Sequence, residues 1–227
     1  MALIIGVTGS IAAGKSLVCQ TLAELGVVHC DADKLVHRLY DPGTPGFARV
    51  VAEFGEDVVG ADGYVDRKAL GAKVFRNPEA MRRLTTAMGD ITGAIRAEIA
   101  RWRETLPADG AGVMEAVNLI EPGYAAWCDV TWLVVCRPET AQRRLMARNG
   151  FTEAEATQRL ASQRPWQQRA GAADLVLRND NSPEALTDAV RYAYRRLWEL
   201  RRAESLPCSQ YHIWRASHPA PVAALSR

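Results

Sequence analysis

The segment Gly9-Ser10-Ile11-Ala12-Ala13-Gly14-Lys15-Ser16 constrains this chain more than any other stretch of it. It has the form G-x-x-x-x-G-K-[ST], which carries meaning only between a strand and a helix. Both flanks qualify. Ahead of it, residues 2–7 (ALIIGV) are a short apolar run that reads as a buried strand. Behind it, Leu17, Val18, Leu22 and Leu25 recur at helical spacing until Gly26, the expected C-terminal stop. Strand, loop and helix N-terminus together aim successive backbone N–H groups and the positive end of a helix dipole at one point, a cradle for a polyphosphate. In such a cradle Lys15 reaches the β- and γ-phosphates and the Ser16 hydroxyl is a ligand for Mg²⁺.

Length and composition are compatible with one α/β domain of 227 residues carrying an inserted helical lobe. The net charge of +2 is too small to argue for a nucleic-acid surface. Five cysteines (Cys19, Cys30, Cys128, Cys136 and Cys208) form an odd set without CxxC spacing. The first four sit in apolar patterns and are expected to be buried, reduced thiols and not a metal site. The chain enters its first strand directly, so no signal peptide is expected, and no apolar run has the length of a membrane span. A cytoplasmic, soluble protein, monomeric and without nucleic-acid or membrane partner, is the resulting expectation.

After Gly26, residues 27–30 read as a second strand closing in Asp31-Ala32-Asp33. Carboxylates just beyond strand ends line the ligand crevice of open α/β sheets. Asp33 is therefore a candidate to orient or deprotonate an attacking hydroxyl, the alternative being the N-cap of a helix over 34–40. His37 reads as a packed or surface histidine. Residues 34–107 look helical and loop-rich, with helix starts at Asp66 and at Asn77-Pro78-Glu79 and an apolar stripe of Ile91, Ile95, Ile99, Trp102 and Leu106. They form an expected lobe between the second and third strands, over the acceptor substrate.

Residues 111–117 and 129–136 read as the third and fourth strands, the third carrying Glu115 and leading on to Glu121. Alternation of strands with helices argues for a parallel sheet covered on both faces. A helix from Arg137-Pro138-Glu139 to Asn149, stopped by Gly150, carries Arg143, Arg144 and Arg148. Arg144 and Arg148, four apart, share a face. The capping box Thr152–Glu155 opens a second helix, which carries Arg159. The pair, about 138–165, reads as a lid whose arginines close over the triphosphate, against the alternative of a solvated basic face. Residues 174–177 form a fifth strand, Asn179 in the loop beyond it lies within reach of an adenine, and Ser182-Pro183 starts a last helix to about Arg202. Residues 205–227 lack periodicity and are expected to form a flexible or loosely docked tail.

Taken together, GVTGSIAAGKS, DADKLVH, DPGTPGF, FGEDVVGADGYVDRKAL, VFRNPE, RRLMARNGFTEAEATQRLASQ and ADLVLRND resemble the dephospho-coenzyme A kinases, P-loop proteins of the nucleoside-monophosphate-kinase-like group. The resemblance runs from about Leu3 to Val190. It implies a five-stranded parallel sheet with helices on both faces, an inserted helical substrate lobe and a helical lid, with the core at 1–33 and 108–204. It implies ATP and Mg²⁺ as cofactors and transfer of the γ-phosphoryl group to the ribose 3′-hydroxyl of dephospho-coenzyme A. Gly9 and Ala12, Ala13, Gly14, Lys15, Ser16 and Leu17 would bind the ATP phosphates, with Ser16 on the metal and Asn179 on the nucleotide. Lys15, Asp33, Arg144 and Arg148 would be catalytic. Asp33, Arg67, Glu121 and Gln163 would hold the acceptor. Four departures stand out: Ser10 and Ala12 replace loop glycines, Gly89-Asp90 replaces a His-Pro pair, and Val117-Asn118-Leu119 replaces Pro-Leu-Leu. Any positive φ at Ser10 or Ala12 would be costly. The alternatives are a kinase of the same fold acting on another nucleotide or small alcohol, and a non-catalytic ATP-binding module. A regulatory GTPase is disfavoured because no Asn-Lys-x-Asp segment occurs.

Overall fold

β1 (Leu3–Gly9) is buried along all seven residues, as an apolar run covered on both faces must be. The computed structural model describes residues 1–75 and 77–219. Around β1 stand β2 (Val28–Asp31), β3 (Ala111–Glu115), β4 (Val130–Val135) and β5 (Leu175–Arg178), in the order β2-β3-β1-β4-β5. The sheet is parallel, with Ile5 opposite both Val113 and Val130. The helices of this unit are α1 (Lys15–Glu24), α7 (Pro138–Asn149), α8 (Glu153–Ala161), the single turn α9 (Gln167–Ala170), α10 (Pro183–Arg202) and α11 (Gln210–Ser217). Alternation along β1 shows that both faces are covered. Leu3, Ile5 and Val7 join Val18 and Leu22 of α1 and Leu186, Val190 and Leu197 of α10 in one core. On the other face a Cβ on Gly6 would strike Leu119 at 2.6 Å, and one on Gly112 would strike the Trp102 ring at 2.4 Å. Each fully buried aliphatic side chain here stabilises the fold by roughly 1.5–3 kcal/mol.

The chain divides into two compact units, Met1–Cys30 with Ile99 onward, and Asp31–Glu98. The second unit holds α2 (Ala32–Arg38), α3 (Pro45–Phe54), α4 (Arg67–Val74) and α5 (Pro78–Met88), and α6 (Ile91–Thr105) runs across the boundary. Its own core comprises Tyr40, Val50, Phe54, Val58, Val65, Leu70, Val74, Ala80, Leu84 and Ala87. Side chains punctuate it. Thr44 accepts from Phe47 N, Asp66 from Lys68 N and Ala69 N, and Asn77 from Ala80 N. Gly89, at φ +95, ends α5, and Asp90 Oδ1 accepts from Gly93 N at 2.7 Å to open α6. Gly89-Asp90 therefore has a local explanation as helix punctuation.

Two expectations need correction, and one alternative falls away. The cap of α2 is Asp31, whose Oδ1 accepts from Asp33 N and Lys34 N, so Asp33 is a first-turn residue and not the cap. Cys30 is only half-buried, although Cys19, Cys128 and Cys136 are buried as expected. The tail is not loose over residues 205–219. Tyr211 on α11 is 2% exposed, and Asp174 ties the start of that helix by accepting from Ser209 Oγ at 2.9 Å and Gln210 N at 2.7 Å. A single buried aromatic in an eight-residue helix leaves no periodicity to read. Residues 220–227 of that tail lie outside the described residues.

Candidate active site

α1 begins at Lys15 with Gly14 as its N-cap, at φ +100 and ψ 24, and no side chain caps it. No side-chain oxygen therefore competes for the helix's first N–H groups, the arrangement that receives an anion. Gly14 is obligatory twice over, since its Cβ would also meet Asn179 Nδ2 at 2.3 Å. Ala12 stands at φ +58, a left-handed conformation that costs a non-glycine residue about 1–2 kcal/mol. Ser10, the other glycine replacement, is not among the positive-φ residues. Lys15 Nζ donates to Gly9 O at 3.1 Å and Ser10 O at 3.3 Å, lying back along its own loop.

Groups far away in sequence brace the loop. Asn179, 4% exposed, donates from Nδ2 to Ala13 O at 2.8 Å and accepts from Arg144 Nη2 at 3.1 Å. Arg144 Nη1 donates to Ala12 O at 3.3 Å, and Gln163 Oε1 accepts from Ile11 N at 2.8 Å. Asn179 and Gln163, expected on nucleotide and acceptor, are thus both bound to the loop itself. A cavity of about 490 Å³ opens beside it, lined by Ala12, Gly14, Lys15, Ser16, Leu17, Arg144, Ala147, Arg148, Asn179 and Pro183. Arg144 and Arg148, four apart on α7, line it together, as their spacing requires. Gly9 and Ala13 serve through their carbonyls instead, with Ala13 fully buried. Arg143 lies on the exposed surface, and Arg159 stacks over the Phe151 ring at 4.4 Å.

Glu121 and Gln163 line a separate cavity of about 460 Å³ in the same unit, with Asn118, Arg164 and Arg169. There Glu121 Oε1 pairs with Arg169 Nε at 3.8 Å, beyond hydrogen-bonding range, and Glu121 Oε2 is buried without a hydrogen-bond partner. In the helical unit Asp33 is exposed on the first turn of α2. Arg67 heads α4 and lines a cavity of about 400 Å³ with His37, Tyr40 and Asp41. The His37 imidazole is held below its ordinary value by burial first and then by the Arg67 charge.

One site residue escaped the sequence reading. Glu115, the last residue of β3, is 8% exposed, and its Oε1 accepts from Ser16 Oγ at 3.3 Å. Its Oε2 meets His29 Nε2 at 3.1 Å. Burial pushes this carboxyl up, but the His29 hydrogen bond, the charges of His29 and Lys15 and a hydrogen bond with Cys19 together hold it below the ordinary value. The signal was a carboxylate at the carboxyl end of a buried strand, and the more exposed Glu121 drew the assignment. A serine hydroxyl and an ionised carboxylate are hard oxygen donors, the set that suits a Mg²⁺ ion keeping several of its waters.

The sequence and fold have recognisable relatives. The dephospho-CoA kinase family model matches residues 3–184. A dephospho-CoA kinase of Geobacter sulfurreducens is 41% identical over 187 residues, covering 81% of this chain and 92% of its own. One from Anaeromyxobacter dehalogenans is 42% identical over 187 residues, covering 81% and 86%. The crystal structure of TT1252 from Thermus thermophilus superposes with a TM-score of 0.69 at 30% identity, covering 86% of this chain and 98% of that one. A dephospho-CoA kinase from Campylobacter jejuni, at 23% identity and a TM-score of 0.59, shares the fold over 85% and 96% of the two chains. The chain belongs to the dephospho-CoA kinase family.

Proposed function

We propose that the protein transfers the γ-phosphoryl group of ATP to the ribose 3′-hydroxyl of dephospho-coenzyme A, giving coenzyme A and ADP. The observation that carries this reading is the cavity where an uncapped helix N-terminus, Lys15, Ser16, Arg144 and Arg148 converge, in a chain of this family. Phosphoryl transfer through a loose transition state asks a protein for positioning and charge neutralisation. Lys15 and the N–H groups at the start of α1 take the β- and γ-phosphate oxygens. Arg144 and Arg148 neutralise charge on the group in transit, as the moving part of a lid over 138–165. Ser16 and Glu115 would hold Mg²⁺, which would supply positive charge to neutralise the phosphates. Asp33 orients the acceptor hydroxyl and takes its proton as the new O–P bond forms and the bond to the ADP oxygen breaks. Arg67, Glu121 and Gln163 hold the acceptor, and residues 34–107 act as the acceptor lobe. The protein works as a cytoplasmic monomer without nucleic-acid or membrane partners. The net charge of +2 is too small to favour a nucleic-acid surface, and no helix among the described residues is long and apolar enough to cross a membrane.

An ADP-release assay with ATP and Mg²⁺ tests the reading, comparing dephospho-coenzyme A with adenosine, AMP, CMP and pantetheine. Turnover with dephospho-coenzyme A alone is the expected result. Turnover with another acceptor only would overturn the substrate, and tight ATP binding with no turnover would indicate a binding module. Lys15→Ala and Asp33→Ala should each lower kcat by at least about 10²-fold with the circular dichroism spectrum unchanged. Near-normal turnover in Asp33→Ala would remove it from the chemistry.

A further inference from the structure

Glu115 presents its two oxygens to two different partners, Oε1 to Ser16 and Oε2 to His29. Beside it, three elements bring together donors of another chemical character. Cys19 comes from α1, one turn beyond Ser16; His29 comes from β2; Glu115 ends β3, the strand next to β2 in the sheet. One ligand atom from each of Cys19, His29 and Glu115 lies within 4.8 Å of the others, the one such group of three among the described residues. We propose that Cys19 Sγ, His29 Nε2 and Glu115 Oε2 form a site for a borderline-soft divalent cation, Zn²⁺ or a chemical equivalent, and that its occupation inhibits the enzyme through Glu115.

The donor set decides the class of ion. Thiolate, imidazole and carboxylate with a fourth position for water is a tetrahedral zinc arrangement, whereas Mg²⁺ takes neither sulfur nor imidazole readily. With donors about 2.0–2.3 Å from the ion, tetrahedral ligand atoms stand roughly 3.3–3.8 Å apart. The His29–Glu115 separation is already 3.1 Å, so closure asks for shifts of about an ångström or less by side chains. The His29 side chain keeps 28% of its surface exposed and gives the ion its route in, while the Glu115 side chain keeps only 10% and Cys19 is fully buried. On binding, the Cys19 thiol gives its proton to solvent and nothing is oxidised or reduced. The bound cation holds Oε2 and draws charge from the carboxylate whose Oε1 meets Ser16, the hydroxyl assigned to Mg²⁺. The inhibitory half of this inference rests on the kinase reading; the site itself does not.

Cobalt(II) titration of the full-length protein separates the two. The expected result is saturable 1:1 binding with a thiolate-to-cobalt charge-transfer band, competed away by Zn²⁺. Cys19→Ser should abolish the band, and His29→Gln, a more exposed position, should weaken binding at least about tenfold. Absence of the band, or a band and affinity unchanged in Cys19→Ser whose thermal unfolding matches wild type, would overturn the site. In the ADP-release assay at saturating Mg²⁺, Zn²⁺ should inhibit wild type, and each variant should lose at least about tenfold in zinc sensitivity relative to its own zinc-free rate. A charge-transfer band with no inhibition would keep the site and overturn its coupling to catalysis. Failure of the enzyme to turn over any acceptor would leave the spectroscopic result to decide the site.

Discussion

The four helices α2 to α5 of the helical unit and the phosphate-loop helix α1 of the sheet unit begin in opposite ways. In the helical unit α2, α3, α4 and α5 all start with a side-chain oxygen on the helix's own N–H groups, from Asp31, Thr44, Asp66 and Asn77. In the sheet unit α1 starts with a left-handed glycine and no cap at all. A capped terminus spends its donors on local stability, about 1 kcal/mol per cap, while an uncapped one keeps them for an anion. The stability that α1 forgoes is replaced from a distance, by Asn179, Arg144 and Gln163 holding the loop's backbone. Where local and distant supports differ in this way, substitutions at the two kinds of terminus should fail differently.

The largest effect is expected at Gly14. Alanine there needs a positive φ and places its Cβ 2.3 Å from Asn179 Nδ2, so strain and the displaced brace together cost roughly 2–4 kcal/mol. ATP affinity, read by calorimetry, should fall with it, because the loop's N–H groups lose their alignment. Asn77→Ala provides the opposite case. It should cost about 1 kcal/mol in thermal unfolding and leave ATP affinity at the wild-type value. Equal losses of nucleotide affinity in both variants would break the contrast between capped and uncapped termini.

These differences also explain what the sequence made legible. The phosphate loop, the caps Asp66, Asn77 and Thr152 and the alternation of strands with helices follow local rules, and local rules can be read from neighbouring residues. Glu115 was passed over because its meaning arises from Ser16 and His29, 99 and 86 residues away. Asn179 and Gln163 were noticed as motif residues, but their contacts with Ala13 and Ile11 span 166 and 152 residues, which no local pattern encodes. Asp31 and Asp33 are a finer case. Both suit a cap by type, and only the exact turn at which α2 begins assigns it to Asp31.

A smaller effect sharpens the comparison within the loop. Ala12 occupies φ +58, where glycine is the relaxed choice. Ala12→Gly should raise stability by at most about 1 kcal/mol, because relief of left-handed strain is partly offset by the greater freedom of glycine in the unfolded chain. Its backbone carbonyl still accepts from Arg144, so ATP affinity should stay within about twofold if the brace is backbone-directed. A large drop in affinity would mean that the alanine methyl group itself holds the loop.

The smallest effect belongs to the helical unit and concerns protons. His37 lies with Tyr40, Asp41 and Arg67 around one cavity, and its Nδ1 pairs with the Tyr40 hydroxyl. Burial disfavours the imidazolium most, and Arg67 disfavours it further; Asp33, Asp31 and Asp41 oppose them without reversing the sign. The folded value therefore lies below the unfolded value of 6.5. Well above pH 6.5 both states are neutral and this histidine adds no pH dependence. As the pH falls below 6.5 the unfolded chain takes up a proton that the folded chain resists, so stability is lost through that window. The His37 ring signal in an NMR titration should accordingly move with a midpoint below 6.5. Arg67→Ala should raise the midpoint only part of the way, since burial, the larger cause, remains. A full return to 6.5 in Arg67→Ala would mean that the Arg67 charge, and not burial, is what holds the imidazole neutral, and an increase beyond it would show that the three aspartates govern this pocket.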